Sequence, residues 1–203
     1  IPGAPDHHLM FPAVYHQAAD TTSIVLFTSH DGRLWSRAPG PPVLTTSEFG
    51  QWDGGCVFTT PEMVELPNGD FAVAYSGYDV PHKYPRGAWK YGVGLAVWPK
   101  GRLMGIVADD KGEFSTAAVA APGTTLMINA VTDRAGSILV EATGLDGKAL
   151  PGRSFNDAVP IVGDQFWTPV RWKQHPDLGI EPGTPVSFRF RLDKARLYGL
   201  EFR

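Results

Sequence analysis

Met63-Val64-Glu65-Leu66-Pro67-Asn68-Gly69-Asp70-Phe71-Ala72-Val73-Ala74-Tyr75 is the stretch that decides the fold class. Two apolar runs flank Pro67-Asn68-Gly69-Asp70. Asn-Gly between such runs is the strongest short-range β-hairpin signal, because both residues tolerate the positive φ of a tight turn. The same texture recurs outward from this hairpin. Residues 9–15 and 23–29 are apolar runs, and an Asp31-Gly32 turn leads to Leu34-Trp35-Ser36-Arg37. Cys56-Val57-Phe58 opens a further run, and Tyr91–Trp98 supplies another. No long segment carries the 3.6-residue apolar stripe of a helix. The 23 glycines and 18 prolines among 203 residues form no low-complexity tract. Spread along the chain, they read as turn punctuation between many short strands. The expectation is an all-β protein.

Two similar cycles run over residues 9–37 and 53–98, each with an apolar inner strand, a hairpin and an aromatic-rich outer strand. Propeller blades occupy about 40–50 residues, so the spacing predicts about two four-stranded blades. A closed propeller needs at least about four blades, so the first part reads as a partial β-propeller. Beyond Gly112 the strands become cleaner alternators, at 125–130 and 137–142, with a Leu145-Asp146-Gly147-Lys148 turn. In residues 186–192, Val186, Phe188, Phe190 and Leu192 share one face, and Ser187, Arg189 and Arg191 share the other. Residues 197–202 place Tyr198, Leu200 and Phe202 on one face. These strands predict an antiparallel β-sandwich. The boundary is expected in 105–112, through Ala108-Asp109-Asp110-Lys111-Gly112, giving a propeller part at 1–108 and a sandwich at 109–203.

A net charge of -3 with 19% charged residues excludes the basic footprint of a nucleic-acid or anionic-membrane binder. No apolar run approaches the roughly 20 residues of a membrane span. One cysteine, Cys56, rules out an internal disulfide framework, and its apolar neighbours point to a small buried residue. Ile1-Pro2-Gly3-Ala4-Pro5 lacks a signal pattern and fits a processed chain or a fragment. An extracytoplasmic or secreted location is the expectation.

Four constellations are candidates for chemistry. Ser29-His30-Asp31-Gly32-Arg33-Leu34-Trp35 looks like a shortened relative of the Asp-box hairpin of sialidases and related propellers. Its carboxylate is expected to accept backbone N–H bonds within the turn, a structural role. In Trp52-Asp53-Gly54-Gly55, small residues beside a carboxylate and an aromatic let a ligand approach the backbone, and a Trp face stacks on sugar rings. Asp53 is a candidate catalytic residue at the start of an inner strand, or else a loop carboxylate capping a turn. Glu62 is a second catalytic candidate, or lines a solvated strand face, as Glu65 does. The loop at residues 78–87 gathers His82, Lys83 and Arg86 among aromatics, a set suited to clamping a carboxylate- or sulfate-bearing sugar. The same loop could equally be a domain-junction contact. Asp6 and His8 are candidates for reaching a central cavity. His7 and His8 point to opposite faces of a strand, so no metal site is expected, and no cofactor. Trp167 and Trp172 read as core, with a lectin-like platform as the alternative.

Residues 29–35, Trp52-Asp53-Gly54-Gly55 and residues 61–77 together resemble the blades of five-bladed propeller glycoside hydrolases, the invertase, levansucrase and arabinanase-like group. Residues 94–202 look like the β-sandwich that follows the propeller in bacterial relatives of that group. The resemblance implies hydrolysis of a poly- or oligosaccharide by paired carboxylates, a nucleophile or base Asp and an acid Glu. In that family the acid Glu often stands two positions before a Pro, and Thr59 occupies that position here. The resemblance therefore implies late blades, with the main acids upstream or in another chain supplying the remaining blades. Trp52, Asp53, His82 and Arg86 would then contact substrate. The alternative is a non-catalytic carbohydrate-binding or cell-surface protein. Carbohydrate is the expected partner in both.

Overall fold

The structure, a computed structural model, describes residues 1–85 and 87–203. Arg86 lies outside the described residues. The chain is all-β and divides into two compact units, Ile1–Leu103 and Met104–Arg203.

The first unit begins with β1 (His8–Met10), β2 (Ala13–His16), β3 (Thr21–Ile24), β4 (Phe27–Ser29), β5 (Ser36–Arg37) and β6 (Leu44–Thr45). They form two three-stranded sheets, β1-β4-β5 and β2-β3-β6. One register runs through both, from His8 opposite Ser29 to His16 opposite Thr21. In the gap, the Val25 N–H donates to Pro12 O at 3.1 Å. Proline lacks the N–H that a continuous ladder needs, so the hairpin kinks at Phe11-Pro12. A third three-stranded sheet, a meander, follows: β7 (Cys56–Glu65), β8 (Phe71–Tyr78) and β9 (Tyr91–Trp98). The Asn68-Gly69 turn forms as expected, with Gly69 at φ 83° and the Leu66 N–H donating to Asp70 O at 2.8 Å. The two sequence cycles thus become three antiparallel three-stranded sheets, two in the first cycle's part of the chain and one in the second's, where four-stranded blades were expected. Among the described residues they close no propeller ring. Thr22 joins β3 to β7: its hydroxyl donates to Val57 O and accepts from the Val57 N–H. Ile24, Val25, Leu26, Val57, Ala72 and Val73 are buried around that join.

The second unit contains β10 (Ile106–Ser115), β11 (Val119–Ala120), β12 (Leu126–Thr143), β13 (Asp164–Pro169) and β14 (Pro185–Phe202). The sandwich expectation meets a different construction. A single five-stranded sheet, ordered β10-β14-β12-β13 with β11 also on β14, folds over on itself. Phe188 and Phe202 both lie on β14, yet their ring centroids are 5.9 Å apart. A straight strand would hold them roughly 45 Å apart. The crease is marked in three adjacent strands: register shifts occur at Ala108/Lys111 in β10 and at Thr132/Ser137 in β12, and Lys194 in β14 adopts φ 44°. Bulges of this kind bend a strand and sharpen its twist.

The crease corrects the boundary. Asp109 and Asp110, read as part of the boundary, belong to the bulge inside β10, and the units divide at Leu103/Met104. Val186, Phe188, Phe190 and Leu192 face the core as the alternation predicts, at 0–3% exposure. Beyond the crease the inward set becomes Ala195 and Leu197. A further shift opposite Asn129/Ala130 leaves Phe202 packed against the core, while Leu200, expected on the same face, is exposed at 38% and Tyr198 is half-buried. Trp172 is buried, its indole N–H donating to Val140 O at 3.0 Å. Trp167 is half-buried at a β-bulge with φ 54°.

Candidate functional site

One end of the first unit gathers three segments: the β2–β3 turn, the residues before β7, and the loop after β8. The Gly55 N–H donates to Tyr78 O at 2.7 Å, and the His82 N–H to Asp20 O at 2.9 Å. These bonds hold the loop after β8 against both other segments.

Trp52 lies over a track of glycines. A Cβ on Gly77 would stand 2.7 Å from Trp52 Cζ3, one on Gly92 2.8 Å from Cε3, and one on Gly94 3.0 Å from Cη2. The indole therefore rests on bare backbone of β8 and β9, while 43% of the residue stays exposed. Tyr75 packs beside it at 5.4 Å between ring centroids. The small residues next to Trp52 serve another purpose than the one expected. A Cβ on Gly54 would collide with Glu48 O, and one on Gly55 with Val80 O. Those glycines admit the protein's own backbone, not a ligand.

Asp53 sits beneath this arrangement at 5% exposure. Its Oδ2 accepts the Tyr75 hydroxyl at 2.9 Å, and its buried Oδ1 meets no hydrogen-bond partner. Burial, then the Asp53 hydrogen bond and its charge, push the Tyr75 phenol up to about 12. A raised folded-state value favours the neutral phenol in the folded chain. The stabilisation is complete below about pH 10, the ordinary phenol value, and is lost as pH rises toward about 12. The expected result is a tyrosinate absorbance titration in which one phenol ionises last, and Tyr75→Phe removes that late step. A normal titration of every tyrosine would contradict the Asp53–Tyr75 bond.

The β2–β3 turn and the loop after β8 carry an exposed polar cluster. The Tyr15 hydroxyl donates to Asp20 Oδ1 at 2.5 Å, and the Lys83 backbone N–H to Asp20 Oδ2 at 2.8 Å. The Tyr15 hydrogen bond is the main reason the Asp20 carboxyl lies below its usual range; the Lys83 N–H and the Lys83 and His82 charges add to it. The Lys83 ammonium stands 5.6 Å from the Tyr15 ring centroid, and the His82 ring 5.5 Å from it. The Tyr15 hydroxyl also raises the Lys83 pKa, holding the side chain cationic.

The structure thus brings Trp52, Asp53, His82 and Lys83 to one end of the unit. It does not bring Asp6, His8 and Glu62 there. His8 lines a separate cavity of about 420 Å³ with Phe11, Trp35, Pro61 and Met63. Asp6 is exposed in the segment before β1, and Glu62 is exposed where the β7 register breaks between Thr59 and Met63. Asp53 and Glu62 are separated by most of β7, roughly 20 Å along a strand, well beyond the spacing of a glycosidase pair. Asp31 takes the structural role expected of it, accepting the Arg33 and Leu34 N–H groups at 2.8 Å each. Cys56 is buried, and burial pushes its thiol up, away from reactivity. Sequence reasoning missed Tyr15 and Asp20. The available signal was a tyrosine closing an apolar run and an aspartate in the next turn.

Among the described residues, no group of three or more His, Cys, Asp and Glu side chains is placed to hold a metal ion. No helix among them is long and apolar enough to cross a membrane. Compared with known proteins, the chain matches no family model, no curated protein and no solved structure.

Proposed function

We propose that this chain is a carbohydrate-binding protein whose saccharide sits at the Trp52 end of the first unit. The observation that supports this is the Trp52 indole, seated on Gly77, Gly92 and Gly94 and 43% exposed, at the end of the unit that also carries the Tyr15, His82 and Lys83 cluster. A rigidly backed aromatic face with adjacent hydrogen-bonding groups suits a sugar, whose C–H face packs on the ring while its hydroxyls reach polar partners. Binding is favoured over hydrolysis because the carboxylates at this end are engaged within the protein. Asp20 accepts from Tyr15 and Lys83, Asp53 is buried against Tyr75, and Asp79 accepts the Lys90 N–H at 2.7 Å. Acid/base catalysis needs one carboxyl free to give a proton and another free to attack or activate water.

A glycan array followed by calorimetric titration of the best oligosaccharide tests the reading. Trp52→Ala is expected to weaken binding about tenfold, the effect of losing about 1.4 kcal/mol of stacking. Unchanged affinity in that variant, or no glycan bound by the parent chain, overturns the proposal.

A further inference from the structure

We infer that the saccharide bound beside Trp52 carries an anionic substituent, carboxylate or sulfate, seated on the Lys83 ammonium and the His82 imidazole. The inference rests on the carbohydrate reading above and adds the charge of the ligand to it.

The argument is an account of donors and acceptors. Asp20 is the carboxylate that faces this cluster, and both of its oxygens are occupied: Oδ1 by the Tyr15 hydroxyl at 2.5 Å, Oδ2 by the Lys83 backbone N–H at 2.8 Å. The Asp20 carbonyl is occupied as well, by the His82 N–H at 2.9 Å. These acceptors are thus engaged in shaping the loop. The Lys83 and His82 side chains remain exposed near the Tyr15 ring. An ammonium carries three N–H donors and no acceptor, and the contact with Tyr15 leaves the others for a ligand. A surface whose outward groups are donors selects an acceptor-rich, negatively charged partner. The loop is also prebuilt. Asp20 reaches Lys83 across 63 positions of sequence, so the cation is presented by a fixed backbone and not by a free loop.

Three oligosaccharides of similar length distinguish the outcomes: a neutral galactan, an oligogalacturonate and a sulfated galactan, each titrated into the full chain. Binding of the carboxylated or the sulfated ligand about tenfold more tightly than the neutral one, with affinity falling as salt rises, is the expected result. The tighter of the two acidic ligands identifies the substituent. Lys83→Gln is expected to bring the acidic ligand down to the level of the neutral one, and Lys83→Arg to retain most of the preference. Because the side chain is exposed and Asp20 holds its backbone, the substitution leaves the loop bonded. Equal affinity for neutral and acidic ligands overturns the inference and leaves the Trp52 site standing. A preference that survives Lys83→Gln also overturns it. Failure of all three ligands to bind overturns both readings.

Discussion

Phe188→Ala is expected to cost the second unit about 4 kcal/mol, the usual range for a buried Phe emptied from a core. Phe188 is 1% exposed and packs on Phe190 and Phe202, with ring centroids 6.4 Å and 5.9 Å away. It touches both limbs of the same strand. Its removal therefore opens a cavity at the place where the folded sheet closes on itself. A cavity lined by Phe190, Phe202 and other strand side chains collapses poorly, because each of those residues is held by its ladder partners. Chemical denaturation followed by far-ultraviolet circular dichroism measures the loss. A cost below about 1 kcal/mol would mean that the two limbs of β14 are not packed against each other.

Gly77→Val is expected to be the most damaging substitution in the first unit, by about 3 kcal/mol, the upper part of the usual range for overpacking. Valine suits a strand, so the backbone itself does not object. The obstruction lies in the space that the missing side chain leaves. A Cβ there would overlap Asp53 Cβ and stand 2.7 Å from Trp52 Cζ3. Neither neighbour has an easy retreat: Asp53 is buried and bonded to Tyr75, and the indole is seated on Gly92 and Gly94. The variant should lose glycan binding along with stability, and the tryptophan emission of the folded chain should shift as Trp52 leaves its seat. Wild-type stability in Gly77→Val would show that the indole does not rest on β8.

These two positions also show how far the sequence could be read. Local chemistry was legible because its causes are local. Asn68-Gly69 turns the chain by its own φ preferences, and the Asp31 carboxylate finds N–H groups two and three positions away. The inward alternation of Val186, Phe188, Phe190 and Leu192 follows from the period of a strand. The crease was not legible. Asp109-Asp110 in β10, Asp133–Gly136 in β12 and Asp193-Lys194 in β14 each look like a polar interruption, and the first was read as the domain boundary. Only when three strands lie side by side do the interruptions align into one bend.

The site divides in the same way. Trp52, His82 and Lys83 could be picked out because an exposed aromatic and a cationic loop are functional residue types wherever they fall. Their partners could not, because each comes from a distant segment. Gly77, Gly92 and Gly94 look like weak points in β-strands until the indole is placed on them. Tyr15 and Asp20 acquire a role only when Lys83 arrives from far along the chain. Asp53, read as a catalytic candidate or a turn cap, is buried and accepts the hydroxyl of Tyr75 from β8, a partner no local pattern announces.

What the sequence determined by itself is the all-β character, the hairpin turns and the facing of individual strands, since backbone preference and side-chain alternation act over a few residues. The tertiary structure alone decided that the second unit is one sheet folded on itself. It also decided that Gly77, Gly92 and Gly94 seat the Trp52 indole while Gly54 and Gly55 admit backbone, and that Tyr15 and Asp20 belong with His82 and Lys83. Each of those depends on which distant backbones come within contact of one another, and no local preference specifies that.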